Sequence, residues 1–381
     1  MRVLYLNPFH GGSHAAVAEG YAARSRHDVT ILALSIAGGW RWRMRGAAVT
    51  LARMLRERGI VRPDLIIATD MLDLATFLGL TRDTTAGVPV ALYMHENQLT
   101  YPLPPGRQRD LAFPWINYTA CLAADTILFN SDFHRRAFLA ALPGLTGRYH
   151  DHQELDLIPA ITAKSAVLPP GVDLARLDDS GALLSAVGSD DSGDAKSPVI
   201  LWNARWEYDK APAAFFAALH ELEARRVDFR VIVAGEAIDP AEPSFVAARE
   251  WLAPRTLHWG YAPSPLAYRD LLRRSDVVIS TAVQEFFGIS VIEAMYCGCV
   301  PVLPRRLSYP DLLPAEHHAA CLYDEGDLPN RLQEVLADLT SLQRRDFRAI
   351  AAPYDWSRLV PQYDEAFERI AARSGLSPVV Q

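Results

Sequence analysis

The stretch from Gln284 to Pro304, QEFFGISVIEAMYCGCVPVLP, decides the fold. It follows an apolar run, Val277–Thr281, and ends on another, Val300–Leu303, with a short helical pattern between them. Strand, helix, strand in so few residues is the βα rhythm of a parallel sheet. Within it Glu285 sits in a loop beside Phe287 and Gly288, just before the helix, and Glu293 lies about two turns into that helix. Both carboxylates can point into one cleft. The neighbours Val291, Ile292, Ala294 and Met295 make the helix a buried one. An unpaired glutamate there would be costly, so two idle surface acids are a poor alternative.

The same rhythm extends outward in both directions. Upstream in the same half, Val199–Ala204 and Phe229–Ala234 read as strands; the N-terminal half supplies Arg2–Leu6, Val29–Leu34, Leu65–Thr69, Val90–Met94 and Thr126–Asn130. Helical patterns at His14–Ala23, Ala47–Arg58 and Asp132–Ala141 lie between them. The expected architecture is α/β: two Rossmann-like domains facing across a cleft. The first covers residues 1–170 and the second 198–355. Residues 171–197, rich in Asp, Ser and Gly, form a linker. Trp356–Arg373 reads as an amphipathic helix, with Trp356, Leu359, Tyr363, Phe367 and Ile370 at helical spacing.

A chain of 381 residues, 50% hydrophobic and 22% charged, is that of a globular enzyme. Its net charge of −7 advertises no polyanion binding overall. Residues 41–62 are the exception, with seven arginines against Glu57 alone. The four cysteines form no metal-ligand or CxxC spacing and read as reduced thiols of a cytoplasmic protein. The opening segment breaks too early for a signal peptide, and no apolar stretch is long enough to span a bilayer.

Two further loops carry chemistry. In NPFHGGSH, Gly11 and Gly12 allow positive φ and close backbone approach, and a helix starting near Ser13 offers free amides to an anion. A plain βα turn is the alternative. In NARWEYDK, Arg205 and Lys210 follow the strand Val199–Ala204 and suit a diphosphate. A surface ion-pair network with Glu207 and Asp209 is the alternative. The Gly288-Ile289-Ser290 turn brings helix amides to the same phosphate. Glu285 and Glu293 then divide between sugar hydroxyls and a ribose diol.

The pair Arg205 and Lys210 followed by Glu285-x7-Glu293 resembles retaining GT-B glycosyltransferases. With HGGSH, WRWRMR, HENQLTYP, FNSDF, RWEYDK and EFFGISVIEAMYCGC, the chain is similar, over residues 1–170 and 198–315, to the tRNA-queuosine mannosyltransferase family. That resemblance implies a GDP-mannose donor, no cofactor, and queuosine in the anticodon of an aspartate tRNA as acceptor. Gly11, Gly12, Phe287, Gly288, Ile289 and Glu293 would bind the donor. Arg205 and Lys210 would stabilise the leaving diphosphate, with Glu285 and His95 by the transferred sugar. Asn97 would face the acceptor. Trp42, Arg43, Arg45, Arg107 and Arg109 offer cations and flat surfaces to an anticodon loop. Against these stand His95 as a turn cap, Trp40 and Trp42 as core aromatics, and the arginines paired with acids of their own domain. In such folds the C-terminal helix crosses back onto the first domain.

With no DxD pair at the donor, the expectation is a metal-independent transfer. Asp178–Asp179 and Asp190–Asp191 fall in the linker, where solvation explains them. The rival functions are a GT-B enzyme using a UDP-sugar on a lipid, glycan or small molecule, and a non-catalytic nucleotide-sugar or RNA-binding module. A Rossmann oxidoreductase lacks its GxGxxG after the first strand.

Overall fold

Strands buried on both faces form the centre of two parallel sheets. The structure is a computed structural model describing residues 1–104, 106–178, 197–237 and 243–373. The first sheet contains β1 (Arg2–His10), β2 (Asp28–Ser35), β3 (Leu65–Thr69), β4 (Val90–Met94), β5 (Thr126–Phe129) and β6 (Ser165–Val167), in the order β2-β1-β3-β4-β5-β6. The second contains β7 (Val199–Asn203), β8 (Arg230–Ala234), β9 (Thr256–Gly260), β10 (Val277–Ile279), β11 (Val300–Pro304) and β12 (Leu322–Tyr323), in the order β12-β11-β10-β7-β8-β9. Every residue of β3 and β4 is buried, which is why both read as apolar runs. Sequence alone misses β6, β9 and β12. All three are edge strands, and β6 and β9 are only partly buried, so neither shows a continuous apolar run.

The chain divides into one unit of Met1–Val172 plus the segment from Tyr354 onward, and a second of Asp173–Pro353. Of the expected linker, residues 179–196 lie outside the described residues, so Asp179, Asp190 and Asp191 do too. Asp178 does not conform to the solvated reading. It accepts a hydrogen bond from Tyr296 (3.1 Å) and pairs with Arg348. The turn Ala175–Leu177 is likewise ordered, because Arg273 donates to the Leu177 carbonyl at 2.8 Å.

The helix Trp40–Glu57 starts seven residues before the expected Ala47. Gly39, at φ +72, turns the chain into it, and the arginines that follow are good helix formers. Met44, Ala47, Ala48, Leu51, Ala52 and Leu55 are its buried stripe. Two residues apart on a helix, Trp40 and Trp42 cannot share a face. Trp40 packs edge-on against Phe113 at 4.9 Å, whereas Trp42 is 62% exposed.

Helix Trp356–Arg373 belongs to the first unit. Trp356, Leu359, Tyr363, Phe367 and Ile370 pack against Val3, Tyr5, Ile67 and Tyr93 of its sheet and against Val17 and Tyr21. Asp364 secures the join, accepting hydrogen bonds from Tyr21 (3.0 Å) and Ser25 (2.6 Å). The Trp356 indole lies where two glycines leave room. A Cβ at Gly20 would stand 2.2 Å from its Nε1, and one at Gly171 about 2.3 Å from the ring. Gly171→Ala should therefore destabilise the first unit by about 1–3 kcal/mol through overpacking. Trp356→Ala should cost about 3–5 kcal/mol. Denaturant unfolding of both single variants and the double variant checks this. Because they share one contact, the double variant should lose less than the sum.

Candidate active site

In the second unit the ends of β7 and β10 open onto a small pocket. Lys210, Glu285, Ser290, Asn203 and Tyr309 line it. Lys210 ends the short helical turn Tyr208–Lys210, and Ala211 then enters the left-handed region at φ +46. Thr281 fixes that bend by donating to the Lys210 carbonyl at 2.7 Å. The Lys210 ammonium, largely buried, donates to the Gln284 carbonyl (2.9 Å) and pairs with Asp209 (3.2 Å) and Glu285 (3.3 Å). Burial works against its charge, but Glu285 and Asp209 more than offset this and hold its pKa above the ordinary lysine value. Arg205 stays half-exposed and pairs with Glu207 at 3.1 Å. An ion-pair network with Glu207 and Asp209 is thus present, yet Lys210 reaches beyond it to Glu285.

Ser308 holds the loop carrying Glu285, donating to the Phe287 carbonyl at 2.9 Å. Phe287 is buried, and Gly288, at φ +109, caps the helix Ile289–Tyr296. That conformation strains any other residue. Glu293 comes about one and a half turns into the helix, not two. It is buried and paired: Tyr268 donates to Oε2 at 2.6 Å and Arg176 to Oε1. Asn203 in turn donates to the Tyr268 hydroxyl at 2.7 Å. Glu285 and Glu293 therefore face separate partners. Arg176, Tyr268 and Asn203 escape sequence reasoning because Arg176 lies 117 residues from Glu293 and Tyr268 sits on an unremarkable helix. Asn203 alone left a signal, as the polar end of a buried strand.

In the first unit Gly12 has φ +52, but Gly11 is extended at φ −173, a conformation open to any residue. Its constraint is steric, since a Cβ would meet Ile36 at 2.6 Å. His95 is buried at the end of β4. Its amide donates to Asp70 at 2.8 Å, its carbonyl accepts from Asn130 at 2.8 Å, and its ring lies 4.1 Å from that of His14. Nε2 is buried and has no hydrogen-bond partner among the described residues. Burial, helped by His14 and His134, holds the His95 pKa well below the ordinary value. Asn97 shapes the loop instead, accepting from the Leu99 and Thr100 amides at 3.0 and 2.8 Å and donating to Thr100. Arg109 donates to the Gln98 and Tyr101 carbonyls, which makes it a strut of the same loop. Arg107 is exposed. Arg43 donates to the Ser35 carbonyl at 2.9 Å, and Arg45 pairs with Asp110 at 2.5 Å over the Phe113 ring.

The neutral histidines give a pH dependence. Burial depresses the pKa of His134 to about 3. As pH falls below about 6.5 the unfolded chain takes up a proton that the native His134 refuses. The stability it contributes is thus complete above that pH and is lost on acidification, by about 2 kcal/mol at pH 5. His134→Gln should flatten the fall in stability between pH 7 and pH 5 by about that amount. Comparing denaturant midpoints of the two proteins at both pH values cancels other groups. Among these is Asp70, whose carboxyl is raised by burial and by Glu96.

Two family models match the chain. One, described as tRNA-queuosine alpha-mannosyltransferase N-terminal, covers residues 2–172, and one described as Glycosyl transferases group 1 covers residues 190–352. A tRNA-queuosine alpha-mannosyltransferase of Drosophila melanogaster is 33% identical over 373 residues, 96% of each chain. Among solved structures, the catalytic domain of starch synthase IV from Arabidopsis thaliana aligns with TM-score 0.73 at 12% identity, covering 98% of this chain and 99% of that one. Sucrose-phosphate synthase from Thermosynechococcus elongatus aligns with TM-score 0.70 at 14% identity, covering 98% and 100%. The fold is GT-B.

Proposed function

The chain belongs to the tRNA-queuosine alpha-mannosyltransferase family, and from that premise we propose that this glycosyltransferase moves mannose from GDP-mannose, with retention, to queuosine in the anticodon of an aspartate tRNA. The observation that carries the reading is the buried Lys210 ammonium against Glu285 at the cavity, the place for a leaving diphosphate beside a transferred sugar. Lys210, Arg205 and the amides around Gly288 and Ile289 stabilise the diphosphate as the sugar–phosphate bond breaks. The departing phosphate oxygen takes the acceptor hydroxyl's proton while the new bond forms on the same sugar face. No metal is required, because the protein's own cations and amides meet the charge. Glu293 binds the donor ribose, and Phe287 lines the donor. His95, neutral, orients a hydroxyl and carries no charge.

Among the described residues no helix is long and apolar enough to cross a membrane. A tRNA acceptor is consistent with a cytoplasmic protein. For tRNA the exposed Trp42 is the stacking side chain, with the exposed Arg41 and Arg107 supplying phosphate contacts. Arg43, Arg45, Asn97 and Arg109 hold their own unit together, so their substitution tests folding as much as RNA binding.

Incubation with GDP-mannose and tRNA, with and without queuosine, followed by nucleoside mass spectrometry, tests the reaction. Mannosyl-queuosine should appear only with both substrates and should persist in EDTA. UDP-sugar transfer in its place would overturn the donor. Lys210→Ala should lower turnover by about 10²–10³-fold, as the loss of one electrostatic stabiliser does. It should also cost folding stability, because Asp209 and Glu285 lose their buried partner, so turnover is compared on variant protein whose folding has been checked by denaturant unfolding. Trp42→Ala should weaken tRNA binding by about tenfold, the worth of one stacked base, with GDP affinity intact. Unaltered transfer at subsaturating tRNA would remove Trp42 from the acceptor surface.

A further inference from the structure

Glu293 does not stand alone in its buried site. Its Oε2 accepts a 2.6 Å hydrogen bond from the Tyr268 hydroxyl, and its Oε1 takes the Arg176 guanidinium. The direction of the chain behind it is fixed by chemistry. A carboxylate only accepts, so Tyr268 must donate to it, and the phenol oxygen is then free to accept the Asn203 amide at 2.7 Å. Asn203 ends β7 and lines the cavity that holds Lys210 and Glu285. Three segments thus converge on one carboxylate: the turn Ala175–Leu177, the helix Pro265–Arg273 and the end of β7.

The supports are themselves anchored. Arg273 donates to the Leu177 carbonyl at 2.8 and 3.0 Å, fixing the turn that carries Arg176. Asp178, the next residue, is held by Tyr296 and Arg348. Arg176 also lies over the Tyr268 ring, with its guanidinium carbon 6.0 Å from the ring centre. The arrangement exceeds what charge balance demands, since Arg176 alone would neutralise Glu293. The second oxygen is aimed by a neutral donor, which sets direction without adding charge. A carboxylate has about four acceptor positions, so these two hydrogen bonds do not exhaust Glu293.

We propose that Tyr268 and Arg176, with Asn203 behind them, are positioning residues that aim Glu293 at the donor's ribose diol and so make the site select ribonucleotides over deoxyribonucleotides. The proposal rests on the assignment of Glu293 to the ribose. With the carboxylate locked, two vicinal hydroxyls meet a pre-formed acceptor pair. With Tyr268 replaced by Phe, the carboxylate loses its aim, and the contact weakens only for ligands that have the diol.

Calorimetric titration with GDP and 2′,3′-dideoxy-GDP tests this on the wild type, Tyr268→Phe, Arg176→Gln and Glu293→Gln. The wild type should prefer GDP by roughly tenfold or more, as expected of hydrogen bonds to a charged group. Tyr268→Phe and Arg176→Gln should cut that preference to about threefold or less, leaving dideoxy-GDP affinity within about twofold of wild type. A variant that weakens both nucleotides alike has a merely structural role and overturns the proposal, as does one that keeps the full preference. A wild type without preference, matched by an indifferent Glu293→Gln, overturns the ribose assignment itself and the proposal with it. The base does not enter the comparison, so the UDP pair serves equally should UDP be the tighter ligand.

Discussion

A buried ammonium must be paired, and much of the second unit's site follows from that requirement at Lys210. Taking the charge from water costs several kcal/mol unless carboxylates and hydrogen bonds replace it. Asp209 and Glu285 supply the carboxylates, and the Gln284 carbonyl supplies the remaining acceptor. The pairing stitches two loops together. The Asp209 carbonyl accepts the Val283 amide at 2.8 Å, and Thr281 clasps the Lys210 carbonyl, so the loop after β7 and the loop after β10 become one structure. Two carboxylates around one ammonium leave the locale negative. A diphosphate of the kind proposed above would bring more negative charge, to be met by Arg205 and the helix beginning at Ile289. The two cations therefore differ in setting: Lys210 is buried among its carboxylates, whereas Arg205 is half-exposed and paired with Glu207.

The first unit solves its electrostatics in the opposite way. At the end of β4 it gathers neutral imidazoles: His95 and His134 are both held uncharged by burial. The buried Asp70 binds the amide of His95 rather than its ring, so it sets the backbone and leaves the buried Nε2 without a partner among the described residues. Such a group exchanges hydrogen bonds with a hydroxyl without altering the local charge.

What could be read from the sequence follows a physical rule. The central strands were legible because burial on both faces writes itself as an apolar run, whereas the edge strands β6, β9 and β12 carry no such mark. Glu285 and Lys210 were legible because each follows a strand closely, where a parallel sheet must deliver its loops. Arg176 and Tyr268 were not, since only the folded chain brings them to Glu293. The arginine-rich strip was read as one surface, but a helix starting at Trp40 scatters it. Arg43 and Arg45 turn to partners within their unit, whereas Trp42 stays exposed. The two glycines of HGGSH likewise part company, Gly12 needing its positive φ and Gly11 only its lack of a side chain.

The fold by itself says little about the donor. The starch synthase domain shares the backbone arrangement at TM-score 0.73 with 12% identity, so almost every side chain around a common scaffold has been exchanged. What such a scaffold preserves is position: a strand end, a loop and a helix start in fixed relation. Chemistry is then set by which residues occupy those positions and by what aims them. Glu293 shows how far that aiming extends. Its carboxylate sits on a short helix, but its direction is decided by a turn 117 residues earlier and by a neighbouring helix. A motif supplies the functional group, while the residues that give it a direction come from elsewhere in the fold and must be sought there.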